Sequence, residues 1–551
     1  MTATALPDRT SPTTWLVALS ASCLLLCVLH VWVVDDAFIT LRQVQQLLLG
    51  NGFVWNQGER VQAYTHPLWA LLMVPAFALT GEGFWTLAVL SLMTTLAGFA
   101  VALAALWRSG TAWRAVAFLL LLLPSKAFFD YTSSGLENCL THLLVVATYA
   151  RLWTWCDAAA PGDATHLRRG LFALALLTGL TYLNRADTLL LVLPALLLGA
   201  ARTFRLQRWR AAAPVALGLA PVLLWTAWSV LYYGSPVPNT AIAKITGARL
   251  TTGERLESGL LYALDSVLRD PWTLLLAATA IVLLAARRQA AAVAAAAGLT
   301  LYLLYVTVLG AAGTHMSGRF YSAVACLAAF ALARSLHDAG AGTSLRLAGL
   351  AALASFAVPS SPLQATWRPG SYAFALTNFH RTIDTRAVVA VEGASLLSYQ
   401  RGMRMPNHTW FKAGLAFAQS PERVHVGGMG EQGGTDAIGY SAFAAGPDKY
   451  VVDRLALTDP LLARLPLAVA EAFDRPGHVK RELPAGYLAS IETDSNRIED
   501  PDLHAYYDRL RLVVRGPLWS WERLQTIVAL NLGQYDHLLA RYAARAGLRA
   551  P

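Results

Sequence analysis

Residues 14–69 read TWLVALSASCLLLCVLHVWVV and then DDAFITLRQVQQLLLGNGFVWNQGERVQAYTHPLW. The first run contains no Asp, Glu, Lys or Arg and is long enough for a membrane-spanning helix, which needs about 20 mostly apolar residues. The carboxylates Asp35 and Asp36 follow it directly. A carboxylate beside hydrocarbon is costly and tends to mark a functional site, although the pair could also simply mark the end of the span. The stretch predicts a chain that enters a membrane and presents acidic groups at its face.

Apolar runs of this kind continue over most of the 551 residues. Hydrophobic residues make up 56% of the chain and charged residues 14%, against roughly 25% charged in an ordinary soluble domain. The runs extend from about Thr14 to Val358, and charged residues become frequent again from about Pro359. We therefore expect a polytopic α-helical membrane domain, residues 1–358, followed by a soluble domain, residues 359–551. All five cysteines lie in the apolar runs, so no disulfide framework is expected in the soluble domain.

About eleven of these runs are candidate membrane spans. They are residues 14–34, 84–107, 112–129, 137–156, 169–183, 188–201, 211–233, 271–287, 290–309, 319–336 and 345–358. A further run, residues 67–79, is short, begins with Pro67 after His66 and ends in Thr-Gly-Glu-Gly. We predict that it does not cross the membrane and forms a juxtamembrane or re-entrant helix. The first span has no small-x-small site after it, so we do not expect a cleaved signal peptide.

The positions of the arginines decide how residues 67–79 are interpreted. If this run does not cross, five arginine clusters fall on the same side as the N-terminus. The clusters are Arg108/Arg114, Arg168/Arg169, Arg202/Arg205/Arg208/Arg210, Arg287/Arg288 and Arg334/Arg346. Because Lys and Arg collect in cytoplasmic loops, that side is predicted to be cytoplasmic and the C-terminal domain to lie outside. The net charge of +10 is accordingly ascribed to cytoplasmic loops first and to an anionic partner only secondarily. Membrane lipids are expected as partners, and no nucleic acid is expected.

This topology gathers the unusual polar residues on the outer face. The outer segments are residues 35–83, 131–138, 184–187, 234–270, 310–318 and 359–551. We therefore expect the chemistry of the protein at the outer membrane face, with residues 35–83 as its principal external loop.

The C-terminal domain is predicted to be mixed α/β. Val- and Ala-rich stretches at 387–392 and 449–453 alternate with helical runs at 460–473 and 519–540. The glycine-rich run 426–434 resembles a phosphate loop but lacks the following Lys-Ser/Thr, so a flexible turn is the better interpretation. No zinc-ligand spacing, nucleophile elbow or nucleotide fingerprint is present in the sequence.

Several outer-face motifs, taken together, resemble a known class of enzymes. Besides the acidic first loop they are SGLE (134–137), NRAD (184–187), YYGSPVPNT with a following lysine (232–244), and MSGRF (316–320). Their order and placement resemble GT-C class glycosyltransferases, multi-span enzymes that use polyprenyl-phosphate sugars. The C-terminal motifs DRLALTDPLLARLP (453–466) and PGHVKR (476–481) are similar to terminal arabinofuranosyltransferases of mycobacterial cell-wall assembly and their pilin-modifying relatives. The chain departs from the pattern at Thr314-His315, where we expect an acidic residue, and at His66, where relatives often carry asparagine.

The resemblance implies transfer of an arabinofuranosyl residue from decaprenyl-phosphate-arabinose to a cell-envelope glycan or a pilin-like protein. It places the reaction at the outer face of the bacterial inner membrane. The lack of a nucleotide fingerprint fits a lipid-linked donor. Three alternatives remain: another polyprenyl-phosphate sugar such as mannose, a transporter of lipid-linked sugars, and a scaffold that binds glycan without catalysis. A transporter would show internal repeats and ionisable residues at mid-membrane depth, and neither is evident.

Three acidic residues are the candidates for catalysis and acceptor contact. Asp36 is predicted to be the catalytic base, because a sugar hydroxyl must lose its proton as it attacks the anomeric carbon. Asp35 could position the acceptor, bind a metal or cap the following helix. Glu137, at the start of a predicted helix, could contact the acceptor or a metal, or could be a favourable anion at a helix N-terminus. A divalent metal is possible, and no other cofactor is expected.

Cations are expected where the phosphate of the donor leaves, because they stabilise its developing charge. Lys244 and Arg319 are the main candidates, although Arg319 could instead snorkel to the membrane interface. Arg185 and Asp187 could bind the donor or pair with each other. His66 could bind the donor or form a structural hydrogen bond in its Pro-terminated turn. The other predicted donor-binding residues are Tyr64, Asn239 and Arg42.

Overall fold

The computed structural model describes residues 11–157, 164–247, 251–308, 316–367, 382–391, 393–398, 407–427, 437–467 and 479–548. Within these ranges the chain is predominantly helical. The α-helices are α1 (Pro12–Leu29), α2 (Asp35–Leu48), α3 (Pro67–Thr80), α4 (Gly83–Arg108), α5 (Trp113–Leu122), α6 (Lys126–Asp130), α7 (Asn138–Asp157), α8 (Ala164–Asn184), α9 (Leu189–Gln207), α10 (Ala212–Tyr233), α11 (Asn239–Gly247), α12 (Thr252–Arg269), α13 (Pro271–Ala286), α14 (Ala290–Val308), α15 (Ser322–Ser335), α16 (Ala341–Ala357), α17 (Pro362–Trp367), α18 (Thr385–Val391), α19 (Thr409–Gln419), α20 (Ile438–Ala445), α21 (Tyr487–Glu492), α22 (Pro501–Arg515), α23 (Trp521–Asn531) and α24 (Asp536–Arg545). Short 3-10 helices occupy Ala186–Thr188, Arg208–Ala211, Arg319–Tyr321, Leu396–Ser398 and Leu462–Arg464. The strands are β1 (Val424–Gly427) and β2 (Tyr450–Asp453).

Each predicted span falls on one helix, except residues 112–129, which form α5 and α6 because Pro124 interrupts the run. Among the described residues, four helices are long and apolar enough to cross a membrane by length and composition alone. They are Pro12–Leu29, Gly83–Arg108, the run Ala186–Tyr233 and Ala290–Val308. The polytopic helical architecture is thus confirmed, whereas the number of eleven crossings stays a prediction.

Helix α15 forms the centre of the membrane body. Every residue of α15 except Arg334 is buried, and most of its side chains are small. Helices α5, α7 and α13 pack around it. Small side chains allow helix backbones to approach closely, which is how helices associate where lipid removes the hydrophobic driving force.

Helix α3 covers residues 67–79, the run that is predicted not to cross the membrane. Its 14 residues correspond to about 21 Å at 1.5 Å per residue, less than the hydrocarbon thickness of about 30 Å. It packs against α2 and α4, while Leu71, Leu72 and Leu79 are exposed. A short helix with one apolar face open matches the predicted juxtamembrane element in length and position, and the side of the membrane on which it lies stays a prediction.

Helix α12 makes an angle of 110° with α13 at Asp270. Its leucines at positions 256, 260, 264 and 268 are all exposed, and their spacing of four places them on one face of the helix. If α13 crosses the membrane, α12 therefore runs along the membrane surface with this leucine row toward the lipid.

The described C-terminal part has only one small sheet, in which β1 and β2 pair in parallel with Val424 opposite Tyr450. The strand predicted at residues 449–453 is confirmed by β2. The strand implied at residues 387–392 is wrong, because this segment belongs to helix α18. The Asp384 carboxylate accepts a hydrogen bond from the Ala387 backbone amide at 3.2 Å and so caps the start of that helix. Residues 428–434 of the glycine-rich run and residues 476–478 of the PGHVKR motif lie outside the described residues.

The C-terminal part is not packed as a separate body. Val33 donates a backbone hydrogen bond to Ala394, and Trp32 forms a β-bridge with Ser395. Phe411, Tyr440 and Phe443 share a hydrophobic cluster with residues of α2, α3 and α4. In α23, the Arg523 guanidinium donates to the carbonyls of Leu231 and Tyr232 at the end of α10. The first outer loop is therefore enclosed between the membrane helices and the C-terminal part.

Candidate active site

The two adjacent carboxylates at the start of α2 have different surroundings. Asp35 is buried, and its two oxygens accept hydrogen bonds from the backbone amides of Gly439 at 3.0 Å and Tyr440 at 2.6 Å. These amides belong to the first turn of α20, which lacks a capping side chain of its own. A Cβ atom at Gly439 would overlap the Asp35 carbonyl, so glycine permits the close approach. Of the roles predicted for Asp35, the structure favours capping, but of α20 and not of α2.

Asp36 is half-buried and accepts no hydrogen bond from the described residues. Its charge acts on Lys244 and on His66. Its carboxylate is thus open to a ligand and faces basic groups. This arrangement suits the predicted role of a proton acceptor.

A chain of contacts leads from α2 to the next motif. Thr40 lies one helical turn after Asp36, on the same face of α2. The Thr40 hydroxyl and His66 Nε2 are 2.9 Å apart, and His66 Nδ1 lies 3.3 Å from a Glu137 carboxylate oxygen. Burial lowers the pKa of His66, although the Glu137 carboxylate opposes this effect. We therefore assign a neutral imidazole that donates from Nδ1 to Glu137 and accepts from the Thr40 hydroxyl.

Glu137 is the centre of a buried ion cluster. It lies just before α7, in the turn that contains Gly135, whose φ of +79° favours glycine. Its carboxylate oxygens lie 3.1 Å from Arg185 Nη1 and 2.9 Å from Arg319 Nη2. Glu137 is 1% exposed and its carboxylate is engaged by these cations, so the predicted contact with an acceptor or a metal stays a prediction. The SGLE, NRAD and MSGRF motifs therefore meet at one point.

Arg185 is held from both sides. Its Nε and Nη2 atoms donate to the two carboxylate oxygens of Asp187 at 2.7 and 3.0 Å. The Tyr302 hydroxyl donates to Asp187 at 3.2 Å, and the Arg185 guanidinium lies 4.5 Å from the centre of the Phe320 ring. The predicted pairing of Arg185 with Asp187 is confirmed, and Glu137 joins it.

Arg319 retains hydrogen-bond donors for a ligand. One nitrogen, Nη2, contacts Glu137, and Nη1 contacts the Met316 sulfur at 3.2 Å. Its Nε atom is buried and has no acceptor among the described residues. Met316 has a positive φ of 65°, a costly conformation for a residue with a side chain. The guanidinium points into the ion cluster, which favours ligand binding over snorkelling.

Lys244 completes the group from α11. Its side chain is exposed to solvent. Desolvation by the surrounding protein nevertheless lowers the pKa of Lys244. The Asp36 carboxylate raises this pKa, and the Arg319 guanidinium lowers it further. Asn239, at the start of α11, donates from its side chain to the carbonyls of Ala456, Leu457 and Asp459. The C-terminal part therefore positions the helix that carries Lys244.

The polar groups of three predicted donor-binding residues are engaged within the protein. Arg42 is completely buried, and it donates to the carbonyls of Trp55 at 3.1 Å, Gly446 at 2.8 Å, Lys449 at 2.7 Å and Ala442. Asn239 is engaged by the three carbonyls described above. The Tyr64 hydroxyl is 2.9 Å from the Tyr233 hydroxyl in a buried aromatic cluster. Backbone and side-chain partners occupy these polar groups, and a contact of the three residues with the donor stays a prediction.

The structure also contains a second buried ion cluster that the sequence analysis missed. Lys126 pairs with Asp130 and lies 2.9 Å from Asp384, and Arg386 lies 3.5 Å from Asp130. These four residues are at most 4% exposed and join α6 to the segment before α18. A signal was available, because Lys126 and Asp130 stand at the end of an apolar run, where charges are costly.

Among the described residues, no group of three or more His, Cys, Asp or Glu side chains is arranged to hold a metal ion. Asp35 and Glu137 are occupied by amides and cations respectively. The candidate site therefore offers Asp36 as an acidic group and Lys244 and Arg319 as basic groups.

Sequence comparison confirms the resemblance that the motifs indicate. The chain is 30% identical over 265 residues to a terminal β-(1→2)-arabinofuranosyltransferase of Corynebacterium glutamicum, which covers 43% of this chain. It is 31% identical over 250 residues to the protein of the same name from Mycobacterium tuberculosis, which covers 42% of this chain. The chain spans 37% of the length of each of these relatives. No protein-family model matches it.

Comparison with solved structures gives two crystal structures of ArnT from Cupriavidus metallidurans. The one bound to undecaprenyl phosphate has a TM-score of 0.47 and 15% identity and covers 83% of this chain and 92% of that chain. The apo form has the same TM-score and identity and covers 88% and 95%.

Proposed function

We propose that this protein transfers an arabinofuranosyl residue from a polyprenyl-phosphate carrier to a cell-envelope glycan or pilin-like acceptor. The observation that carries the proposal is the half-buried Asp36 carboxylate, which accepts no hydrogen bond from the described residues and whose charge acts on Lys244 and His66. The similarity to two terminal arabinofuranosyltransferases supports the sugar. The reaction would take place at the outer face of a bacterial inner membrane, with the N-terminus in the cytoplasm.

In the proposed reaction an acceptor hydroxyl attacks the anomeric carbon of the donor. The new bond joins the acceptor oxygen to that carbon, and the bond between the carbon and the phosphate oxygen breaks. Asp36 accepts the hydroxyl proton, a step that typically contributes about 10²- to 10⁴-fold to the rate. The polyprenyl phosphate leaves with the bonding electrons, and Lys244 and Arg319 stabilise its added negative charge.

Glu137 would act as a positioning residue. Its carboxylate fixes Arg319, Arg185 and His66 through contacts of 2.9, 3.1 and 3.3 Å. Because both arginines are held before the substrate arrives, little reorganisation is needed when the phosphate charge develops. The nearly complete burial of Glu137 keeps it away from the acceptor.

A donor-specificity assay tests the proposal. Purified full-length protein is incubated with radiolabelled polyprenyl-phosphate-arabinose or polyprenyl-phosphate-mannose together with arabinan or pilin-derived acceptors. We expect label transfer from the arabinose donor. Transfer from the mannose donor alone would contradict the sugar while keeping the reaction class. Carrier-linked sugar moving across vesicles without transfer would support a transporter, and tight glycan binding without transfer would support a scaffold.

A further inference from the structure

A cleft of about 720 Å³ opens in the membrane body at the end opposite the candidate active site. It lies between the C-terminal halves of α4 and α7 and the end of α15. The candidate active site adjoins the N-terminal ends of α7 and α15. The 20 residues of α7 span about 30 Å, so the two regions are separated by roughly the thickness of the hydrocarbon layer.

The walls of the cleft are apolar over much of their length. Four alanines and Val101 from α4 and α7 line it. Their small side chains leave an apolar groove between the two helices. A volume of about 720 Å³ falls within the range of about 300–1,000 Å³ that is usual for pockets of small ligands.

Three arginines stand at the mouth of this groove. Arg334 pairs with Asp157, while Arg108 and Arg151 form no hydrogen bond or ion pair with the described residues. The lining thus carries three positive charges from arginines and one negative charge from a carboxylate. Guanidinium groups are well suited to phosphate, because they present several donors in a planar arrangement.

Trp153 forms part of the wall of the cleft. Its indole lines the cleft, is 4% exposed and packs against Tyr149 and Phe330. The indole Nε1 is buried and has no acceptor among the described residues. A buried donor without a partner is costly.

We propose that the cleft binds an anionic glycerophospholipid of the surrounding leaflet. Its phosphate contacts Arg108 and Arg151, and an acyl chain lies in the alanine groove. The choice of occupant follows from the charge of the three arginines and from the alanine-rich, apolar lining of the groove. The site is distinct from the proposed donor site and does not depend on the proposed function.

Lipid retention by the full-length protein tests this proposal. The protein is purified in detergent, exchanged into mixed micelles of phosphatidylglycerol or phosphatidylcholine, and examined by native mass spectrometry. We expect retention of one phosphatidylglycerol and little phosphatidylcholine. The double variant Arg108→Gln/Arg151→Gln should retain about tenfold less phosphatidylglycerol. The matched double variant Arg287→Gln/Arg288→Gln removes the same charge outside the cleft and should retain as much as the unaltered protein.

A second variant guards against a failure of the first to fold. Ala104→Phe keeps every charge and fills the groove, and it should also lose the bound lipid. Equal retention of the two lipids, or equal losses from the cleft and control double variants, would overturn the proposal. Full retention by a folded Ala104→Phe variant would overturn it as well.

Discussion

The Glu137 carboxylate contacts Arg319 Nη2 at 2.9 Å, although 182 residues separate the two along the chain. Arg185 and His66 meet the same carboxylate from two further segments. Three segments of the chain thus converge on one buried acid in a fourth segment, next to the helix that carries Asp36.

Glu137→Gln tests whether this carboxylate organises the cluster. Loss of its charge leaves Arg319 without a buried counter-ion, and breaking such a pair costs about 3–5 kcal/mol. We expect a lower apparent Tm and a lower rate of sugar transfer by the protein that remains folded. Thermal unfolding and the transfer assay measure the two effects. The exposed residue Glu257 provides the control, and Glu257→Gln should change neither quantity. Unchanged values for Glu137→Gln would contradict the organising role.

Asp35→Ala separates the two adjacent carboxylates. The substitution removes the acceptor for the amides of Gly439 and Tyr440, and the loss of a helix cap costs about 0.5–2 kcal/mol. The apparent Tm should fall, while transfer by the folded protein should fall much less than in Asp36→Asn. Asp35→Asn, which keeps one acceptor oxygen, should be milder in both respects. Abolished transfer at an unchanged Tm would make Asp35 a catalytic residue and contradict the capping assignment.

Lys244→Met tests the phosphate contact. We expect KM for the lipid-linked donor to rise and kcat to fall, each by about tenfold or more, because the contact strengthens as charge develops on the leaving phosphate. Lys244→Arg should recover part of the rate. Lys412→Met, at an exposed position of α19, is the control of equal charge change. Donor kinetics at fixed acceptor concentration provide the measurement, and normal kinetics in Lys244→Met would exclude the contact.

How much of this site could be predicted from the sequence depends on how far apart the contacting residues lie along the chain. The motifs around Asp36, Glu137, Arg185 and Arg319 were each identified from local sequence, and their placement at the outer face stays a prediction. Their convergence required the packing of helices far apart in the chain. Arg42 shows the limit clearly, because three of its four carbonyl partners lie about 400 residues later.

The fold shows the same division. Helix positions followed from hydrophobic runs, because each helix buries or exposes a continuous apolar face. The segment at residues 387–392 looked like a strand from its valines, but the preceding Asp384 caps a helix there. The ion pair between Lys126 and Asp384 also joins distant segments, and nothing in the local sequence of either segment indicates that the two are in contact.

Asp459 predicts a pH dependence of stability. Burial, with the nearby Glu59 charge, raises its pKa to about 7, despite hydrogen bonds from the Leu462 amide and the Tyr487 hydroxyl. The folded state therefore binds this proton more tightly than the unfolded state, whose pKa is about 4. Stability from this group is complete below about pH 4 and decreases as the pH rises to about 7, by up to about 4 kcal/mol.

Apparent Tm values between pH 5 and pH 8 measure the slope of stability against pH. Asp459→Asn, which does not titrate, should flatten it. Burial also raises the pKa of Asp453, to about 6. Because Asp453 still titrates in the Asp459→Asn variant, a smaller decrease of stability with rising pH should remain. An identical pH profile in the variant and the unaltered protein would show that Asp459 does not titrate in this range.

The most direct test of the central claim is the rate of sugar transfer by Asp36→Asn. The variant keeps the size of the side chain and removes the proton acceptor, and Asp338→Asn at an exposed position serves as its control. We expect Asp36→Asn to have a Tm like that of the unaltered protein. With labelled polyprenyl-phosphate-arabinose as the donor, its transfer rate should be about 10²- to 10⁴-fold lower. A folded Asp36→Asn variant with the full transfer rate would contradict the assignment of Asp36 as the catalytic base.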